Sequence, residues 1–178
     1  MRIIAGSRKG ATIYAPKHAD TRPTGDRVRE AAFNLIGPVD GASVLDLYAG
    51  SGAMGLEALS RGAASALFVE ADRKAVHTIE RNLTKLGLEG ATILRADALT
   101  ALAQEASSGR RYDLVLVDPP YRMFADLQTS LAAYLPAVLA EDGLVVVETS
   151  SREEPELPLP KRTSRRYGAA RLTLFEPL

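Results

Sequence analysis

Short, mainly apolar stretches alternate with longer amphipathic stretches from residue 43 onward, and this alternation predicts strands and helices in turn. The predicted strands are residues 43–48, 65–70, 91–96, 112–118 and 143–149, and the predicted helices are residues 53–61, 72–86, 98–107 and 125–140. Pro136 should kink the last helix or end it early. Strands that are apolar throughout are typical of a parallel sheet covered on both faces. The pattern therefore predicts an α/β fold with a mainly parallel sheet.

The two ends of the chain depart from this alternation. The C-terminal end predicts an antiparallel hairpin at the edge of the sheet, with strands at 162–167 and 170–175. The N-terminal end predicts a short β-hairpin with a basic turn over residues 2–14, followed by a helix over residues 26–36 with one apolar face. Arg22, Arg27 and Arg29 lie off that apolar face, where we expect either a solvated surface or contacts with phosphate.

Charge is unevenly distributed, although its net value is zero over 178 residues. Residues 1–37 carry a net charge of +4, residues 38–150 of −6 and residues 151–178 of +2. Basic ends around an acidic middle indicate that the ends grip a polyanion, and the simpler alternative for each end is an ordinary solvated surface. We therefore expect a basic N-terminal extension of residues 1–37 and a main domain of residues 38–178.

Several classes of protein are disfavoured by the remaining composition. The chain has no cysteine and only two histidines, so neither a disulfide framework nor a metal site is expected. No apolar stretch reaches the length of a membrane span, and no signal-peptide pattern is evident. We expect a cytoplasmic protein that binds neither metal nor membrane, and a monomer, because no apolar stripe asks for a partner.

The sequence Asp118-Pro119-Pro120-Tyr121 follows an apolar strand directly. It offers a carboxylate acceptor, a backbone with carbonyl acceptors and no N–H at the two prolines, and a flat aromatic face. These groups suit a planar ring with an –NH₂ group, whose lone pair becomes available for attack when both amino protons are hydrogen-bonded. The motif therefore predicts an amino-group alkylation site. The alternative for so short a motif is a Pro-Pro turn that Asp118 caps.

A second motif spans residues 44–55, where an apolar strand runs into a turn that contains Gly50, Gly52 and Gly55. Such glycines allow a ligand to approach the backbone closely, and the N-terminus of the next helix favours polar or anionic groups. Asp46 lies inside the strand end, where it can accept from an ammonium group. Glu70 ends the following strand and is placed to accept from the hydroxyls of a ribose.

More than one ligand matches the second motif. The glycines satisfy the G-x-G-x-x-G pattern of nicotinamide dinucleotide sites, and a glycine turn without any ligand is a further alternative. A pyrophosphate would gain nothing from the nearby Asp46, and no hydride-transfer site is evident downstream. S-adenosylmethionine fits both motifs, with its ribose at Glu70, its ammonium near Asp46 and its methyl group directed at Asp118. Asp97, at the end of the third strand, can accept from an adenine amino group or cap the next helix, and these two roles are compatible.

These motifs and the N-terminal sequence give the chain a resemblance to a known family. It resembles the bacterial 16S ribosomal RNA guanine-N2-methyltransferases of the RsmD type over nearly its whole length, most weakly over residues 150–162. The glycine motif and D-P-P-Y are shared with many amino-methyltransferases. The narrower match is carried by further segments, which are Arg22-Pro23-Thr24, Asp26-Arg27-Val28-Arg29-Glu30, Phe33-Asn34 and Gly55-Leu56-Glu57-Ala58.

The resemblance implies a Rossmann-like class I methyltransferase fold with a seven-stranded sheet. It also implies methyl transfer from S-adenosylmethionine to N2 of one guanine in 16S rRNA, within the small ribosomal subunit or its assembly intermediate. The implied cofactor-binding residues are Asp46, Tyr48, Gly50, Ser51, Gly52, Glu70, Ala71, Asp97 and Ala98. The implied catalytic residues are Asp118, Pro119, Pro120 and Tyr121, and the implied RNA-binding residues are Arg8, Lys9, Arg22, Thr24, Arg27, Arg29 and Arg122.

Other substrates remain open for the same chemistry. A DNA adenine-N6-methyltransferase uses the same acceptor groups, but it normally carries an added target-reading domain, for which the N-terminal hairpin is too short. A protein-glutamine methyltransferase also recognises a planar amide, but it would gain little from a positive N-terminus. A non-catalytic RNA-binding or ribosome-assembly factor that retains the fold is a third alternative. The intact Asp118 and glycine turn argue against it.

Overall fold

Seven strands form one sheet in the computed structural model, which describes residues 1–15 and 25–178. The strands are β1 (Ser43–Leu47), β2 (Ser65–Glu70), β3 (Ala91–Arg95), β4 (Tyr112–Val117), β5 (Leu139–Ser150), β6 (Lys161–Tyr167) and β7 (Ala170–Phe175). Their order is β3-β2-β1-β4-β5-β7-β6. Neighbours from β3 to β5 are parallel, whereas β7 is antiparallel to both β5 and β6. The predicted seven-stranded, mainly parallel sheet is confirmed.

Helices cover both faces of this sheet in the described part of the chain. They are α1 (Asp26–Ile36), α2 (Ala53–Ser60), α3 (Arg73–Leu86), α4 (Ala98–Ser108) and α5 (Phe124–Val138). Phe33 of α1 and Ile79 of α3 pack in one core with Leu116 of β4. Leu102 of α4 packs in a second core, on the other face, with Val115 of β4. Successive residues from Leu114 to Val117 of β4 thus alternate between two cores, which explains why this part of the strand is apolar on both faces.

The predicted boundaries hold to within a few residues except near Pro136. Helix α5 continues through Pro136, which lies in its last turn, and ends at Val138, two residues before the predicted end. The chain passes straight into β5, which begins at Leu139 and not at residue 143 as predicted. Leu139 pairs with Tyr112 before a register shift in the β4–β5 ladder. Glu141 and Asp142 interrupt the apolar run here, so a prediction based on apolar runs missed this first part of the strand.

The N-terminal residues form the expected hairpin, although its regular pairing is shorter than predicted. A single antiparallel bridge joins Arg2 and Thr12. Backbone hydrogen bonds flank that bridge, from Ile3 N–H to the Ala11 carbonyl at 2.9 Å and from Ile13 N–H to the Met1 carbonyl at 3.0 Å. Ile3 and Ile13 are buried in the same core as α1, α2 and α3. The hairpin is therefore packed onto the body of the fold.

The strand order creates a crevice at the carboxyl ends of β1 and β4. From β1 the chain continues to β2 and β3 on one side of the sheet, while β4 continues to β5 on the other side. Open α/β sheets bind their ligands outside the strand ends at such a reversal. Leu47 at the end of β1 pairs with Val117 at the end of β4, so the residues that follow the two strands meet there. Within the described residues, no helix is long and apolar enough to cross a bilayer.

Candidate functional site

A cavity of about 450 Å³ opens at this edge of the sheet. This volume lies within the range of roughly 300–1,000 Å³ that small-molecule sites occupy. Its walls bring together most of the residues that the sequence indicated, namely Asp46, Tyr48, Gly50, Ser51, Glu70, Ala71, Asp97, Ala98, Asp118, Pro119, Pro120, Tyr121 and Arg122. The glycine turn and the D-P-P-Y segment, about seventy residues apart in sequence, are therefore two walls of one cavity.

The glycine turn between β1 and α2 forms the first wall. Its backbone is left-handed at Tyr48 (φ 58°), Gly50 (φ 59°) and Gly52 (φ 82°). Tyr48 is the one non-glycine with positive φ among the described residues, and its surroundings impose this conformation, as is common at functional sites. Gly52 lies behind the wall, where a side-chain carbon would be 3.3 Å from Ile79 and from Phe68. The third helix thus supports the turn from behind.

Asp46 lies deep in the first wall, with 2% of its surface exposed. Its Oδ2 accepts a hydrogen bond of 3.0 Å from the Gly55 N–H in the first turn of α2. Gly55 is required for this contact, because a side-chain carbon would be 2.4 Å from Phe68 and 2.9 Å from Asp46 Oδ2. Burial raises the pKa of Asp46 to about 7, the Gly55 N–H opposes this rise, and Glu70 adds to it. A bound cation would hold the carboxylate in its charged form.

Two further acids lie at the ends of β2 and β3. Glu70 is half-buried and accepts from the Ala71 N–H at 3.2 Å, and its pKa is raised by burial and by the charge of Asp72. Asp97 caps α4, since its Oδ2 accepts from the backbone N–H of Thr100 at 3.0 Å and from the Thr100 hydroxyl at 3.1 Å. The capping role is therefore confirmed, and Asp97 also lines the cavity.

The charge of the cavity indicates the kind of ligand that it can hold. Its described lining includes five carboxyl groups, which belong to Asp46, Glu70, Asp72, Asp97 and Asp118, and one cationic side chain, that of Arg122. Burial, with a contribution from the charge of Asp97, also raises the pKa of Tyr48 to about 12. A pyrophosphate would meet repulsion here, whereas a ligand with an ammonium and a sulfonium group would find acceptors. No metal-binding group of His, Cys, Asp and Glu is found in the described residues.

The D-P-P-Y segment forms the second wall, immediately after β4. Asp118 is half-buried and Pro119 is buried. The Pro120 carbonyl accepts from the Met123 N–H at 2.9 Å, which closes a 3₁₀ turn over Tyr121–Met123 and leads into α5. The segment therefore forms a turn, as the alternative prediction of a Pro-Pro turn stated, and this turn also lines the cavity. Its acid, its carbonyl groups and its aromatic ring occupy the same wall.

Glu148 was not identified from the sequence, although it supports this wall. It ends the apolar part of β5 and is 8% exposed. The Tyr121 hydroxyl donates to Glu148 Oε1 at 2.9 Å. The signal was available, because Glu148 follows three valines in the same way that Glu70 follows an apolar strand. Glu148 therefore anchors the ring of Tyr121, which the D-P-P-Y motif predicts to lie against a planar substrate.

The prediction that Arg29 lies on a solvated helix face is wrong. Its side chain is fully buried and forms an ion pair of 2.8 Å with Asp26, and its Nε lies 3.5 Å from Glu57 Oε2. It also donates to the Arg2 carbonyl. Glu57 is equally buried and pairs with Arg61 at 2.8 Å. Arg29 therefore holds α1 to α2 and the hairpin, and it has no surface left for a phosphate contact.

The other basic residues predicted to contact RNA differ in their surroundings. Arg8 donates to the Leu86 carbonyl and, at 3.2 Å, to the Gly87 carbonyl, so that it covers the C-terminus of α3. Lys9 and Arg27 are exposed, and Arg122 is exposed beside the cavity. Arg22 and Thr24 lie outside the described residues.

The chain is similar to known proteins over most of its length. The family model described as Conserved hypothetical protein 95 matches residues 1–176. The protein YlbH of Bacillus subtilis (strain 168) is 43% identical over 162 residues, which cover 89% of this chain and 86% of YlbH. Ribosomal RNA small subunit methyltransferase D of Escherichia coli (strain K12) is 40% identical over 150 residues, which cover 84% of this chain and 74% of that protein.

A solved structure supports the same assignment at the level of the fold. "Putative methyltransferase yhhF from Escherichia coli" superposes with a TM-score of 0.83 at 34% identity and covers 99% of this chain and 97% of that one. The predicted methyltransferase fold is confirmed, and the match supports S-adenosylmethionine as the cofactor. The chain therefore belongs to the family described as Conserved hypothetical protein 95, the RsmD-type methyltransferase family that its motifs resemble.

Proposed function

We propose that this protein transfers a methyl group from S-adenosylmethionine to the exocyclic N2 of a specific guanine in 16S rRNA. The observation that carries the proposal is the shared cavity, in which the acidic glycine-turn wall faces the D-P-P-Y wall. The substrate is rRNA within the small ribosomal subunit or its assembly intermediate, as the name of the E. coli relative suggests. Such a substrate would place the reaction in the cytoplasm.

The glycine-turn wall would hold the cofactor. Asp46 would accept from its ammonium group, Glu70 from its ribose hydroxyls, and Asp97 from its adenine amino group. Tyr48, Gly50, Ser51, Ala71 and Ala98 would surround it, with Gly52 behind the turn. S-adenosylmethionine supplies a methyl group on a positively charged sulfur. The raised pKa of Asp46 supports this placement, because a buried carboxylate with one N–H partner gains from a cation.

The D-P-P-Y wall would hold the guanine after it has left the base stack. Tyr121 offers its ring as a stacking surface, and Glu148 holds the hydroxyl of that ring. Asp118 and the Pro119 carbonyl would accept the two amino protons, so that the lone pair of N2 is directed towards the methyl group. Pro120 keeps the turn closed through its carbonyl. Most of the rate would come from this positioning.

One new N–C bond forms in the reaction and the C–S bond breaks, with its electron pair remaining on sulfur. The methylated nitrogen is strongly acidic and then loses one proton, through Asp118 or directly to water. No strong base is needed for that step. This agrees with a cavity whose described lining contains no histidine.

The basic residues around the cavity would contact the RNA backbone. Lys9, Arg27 and Arg122 are exposed and can neutralise phosphates. Arg8 would contribute with the part of its side chain that the α3 terminus leaves accessible, and Arg22 and Thr24 are included from the family resemblance. The N-terminal extension, residues 1–37, would thus serve as the RNA-contacting part of the protein, and residues 38–178 as the catalytic domain.

The test is transfer of labelled methyl from S-adenosylmethionine to small ribosomal subunits, protein-free rRNA, duplex DNA and a protein extract. Nucleoside mass spectrometry would locate the label, and Asp118→Ala is the control. We expect N2-methylguanosine, with subunits preferred over free rRNA. Label in DNA or protein would support the proposed methyl transfer to an amino group but would contradict rRNA as the substrate. Cofactor binding without any transfer would favour the non-catalytic alternative.

A further inference from the structure

Asn82, in the middle of α3, is fully buried although its side chain is polar. Its carboxamide makes three hydrogen bonds with backbone groups. The Nδ2 donates to the carbonyl of Ser51 at 3.0 Å and to the carbonyl of Tyr14 at 3.0 Å, and the Oδ1 accepts from the Tyr14 N–H at 2.7 Å. One side chain therefore joins two segments that are 37 residues apart in sequence.

The first of these segments is the cofactor wall. Ser51 is buried between Gly50 and Gly52, both of which are left-handed. Glycines permit several backbone conformations, so the turn needs an external contact to fix one of them. The bond from Asn82 holds the Ser51 carbonyl against α3. The same helix supports Gly52 through Ile79.

The second segment is the end of the N-terminal hairpin. Both backbone groups of Tyr14 are bonded to Asn82, as they would be in a strand pair. The Arg81 guanidinium lies 4.0 Å from the centre of the Tyr14 ring, and the Lys85 Nζ lies 5.0 Å from it. Lys85 also donates to the Thr12 hydroxyl at 2.6 Å. The hairpin end is therefore fixed on α3 at the residue that fixes the cofactor turn.

We propose that Asn82 is a positioning residue that couples the cofactor turn to the N-terminal hairpin, so that cofactor binding orders the hairpin end and loss of the contact weakens cofactor binding. Because the carboxamide is buried, no water replaces a bond that is lost. The coupling is reciprocal, since any shift of the turn on ligand binding is shared with Tyr14 through one rigid group. The inference rests on the proposed cofactor site but not on the identity of the methyl acceptor.

Asn82→Asp tests this contact with little change in shape. The variant keeps an acceptor for the Tyr14 N–H, but it places an oxygen against the carbonyls of Ser51 and Tyr14. We expect its Kd for S-adenosylhomocysteine, measured by calorimetry on the full chain at pH 8, to rise on the order of tenfold. The matched control is Ser60→Ala. Ser60 accepts from the Arg8 N–H at 3.0 Å and donates to the Ala5 carbonyl at 2.7 Å, so it also holds the hairpin but makes no contact with Ser51.

Hydrogen exchange supplies a second readout, and its measurement on the wild type does not depend on whether the variant folds. In the wild type we expect S-adenosylhomocysteine to slow exchange of the Tyr14 amide as well as of the amides of the turn. In Asn82→Asp we expect the effect at Tyr14 to be lost. Unchanged exchange at Tyr14 in the wild type would overturn the coupling. If the wild type, Asn82→Asp and Ser60→Ala had equal Kd values, or if Kd rose equally in both variants, Asn82 would have only a structural role in the core. Failure of the wild type to bind the ligand would instead overturn the proposed function.

Discussion

Two buried carboxyl groups near α2, eleven residues apart in sequence, have opposite surroundings. Glu57 accepts from the backbone N–H groups of Ile4 at 2.9 Å and Ala5 at 3.0 Å, and it faces the guanidinium groups of Arg29 and Arg61. Asp46 accepts from one N–H, and no salt bridge reaches it within the described residues. The protein itself balances the charge of Glu57. No cationic side chain of the described residues pairs with Asp46, and we propose that a cationic ligand balances its charge.

This difference indicates a structural role for Glu57 and a ligand-binding role for Asp46, although both carboxyl groups are buried. A carboxylate surrounded by matched donors holds elements together, and its loss should be felt in stability. A carboxylate with few donors is costly to the free protein, and its loss should be felt in ligand affinity. Burial alone does not distinguish these two roles, whereas the count of donors does.

The largest effect is expected for Glu57→Ala, which removes the carboxylate between Arg29 and Arg61. Breaking a buried ion pair on one side typically costs about 3–5 kcal/mol, and we expect a loss of that order in the free energy of unfolding. Urea denaturation followed by circular dichroism measures it. Glu57→Gln, which keeps the shape and an acceptor, should lose less. A Glu57→Ala protein as stable as the wild type would show that the cluster does not hold the N-terminal extension in place.

Asp118→Ala should have the next largest effect, and on turnover only. Loss of an acceptor that positions the amino group should lower kcat by about a hundredfold or more. The Kd for S-adenosylhomocysteine should stay within about twofold, since we propose that this ligand binds at the glycine-turn wall. The control is Asp113→Ala, at the opposite end of β4, where the carboxylate bonds to Ser43. Turnover that survives in Asp118→Ala would contradict the proposed mechanism.

Ligand affinity should depend on pH through Asp46. The pKa of Asp46 in the free protein is about 7, so below this pH a proton occupies the carboxyl group and a cationic ligand must displace it. Affinity for S-adenosylhomocysteine should therefore fall as the pH drops through about 7, by up to roughly tenfold per pH unit. Calorimetry between pH 5.5 and 8.5, in about six steps, measures the slope. Asp46→Asn should bind S-adenosylhomocysteine weakly, and its affinity should no longer depend on pH in this range. If the variant showed the same slope as the wild type, the pH dependence would belong to another group.

Asp46→Asn should raise the stability of the protein without ligand, whereas Glu57→Ala should lower it. Because burial raises the pKa of Asp46 from its ordinary value of 3.8 to about 7, the wild type loses stability as the pH rises between these values. Asp46→Asn can still accept from the Gly55 N–H and carries no charge. Its melting temperature without ligand should therefore exceed that of the wild type at pH 8, with the difference disappearing below about pH 4. A variant less stable at pH 8 would show that Asp46 is balanced after all.

Tyr121→Phe should have the smallest effect in this series. It retains the stacking face but loses the hydrogen bond to Glu148, which is worth about a three- to tenfold factor. We expect kcat/KM for the RNA substrate to fall by that amount with cofactor affinity unchanged. Tyr134→Phe, an exposed tyrosine on α5, is the matched control. An unchanged kcat/KM in Tyr121→Phe would show that Glu148 does not help to place the ring.

Most of the sheet and much of the cavity wall could be predicted from the sequence, because both depend on local patterns. Continuous apolar runs identified the core strands, and an acid or glycine at each strand end marked the cavity edge. Glu148 carries the same signal and was overlooked, since no turn motif follows it. The early start of β5 was concealed by Glu141 and Asp142, which interrupt the apolar run where the ladder shifts register between the Tyr112–Leu139 and Leu114–Leu144 pairs.

The N-terminal extension was predicted less well because its contacts are distant in sequence. Arg29 has the position of a solvated residue on α1, and its burial depends on Glu57, which belongs to a different helix. Likewise, nothing near Asn82 shows that it will meet Ser51 and Tyr14. The positive φ of Tyr48 is set by packing, and no local rule assigns it to a tyrosine. Arg29 belongs to a segment that identifies the family, yet its role in the structure is to hold two helices together. A family motif can therefore contain residues whose role is structural.

The contact between the hairpin and Glu57 has a consequence for the order in which the chain folds. Ile4 and Glu57 are 53 residues apart, so the partner of the hairpin has not yet been made when the hairpin leaves the ribosome. Synthesis at about 5–20 residues per second delays their meeting by several seconds. Contacts over such distances form late, because the loop between them must close first. The hairpin, although it is synthesised before its partner, is therefore expected to be among the last segments to reach its final position.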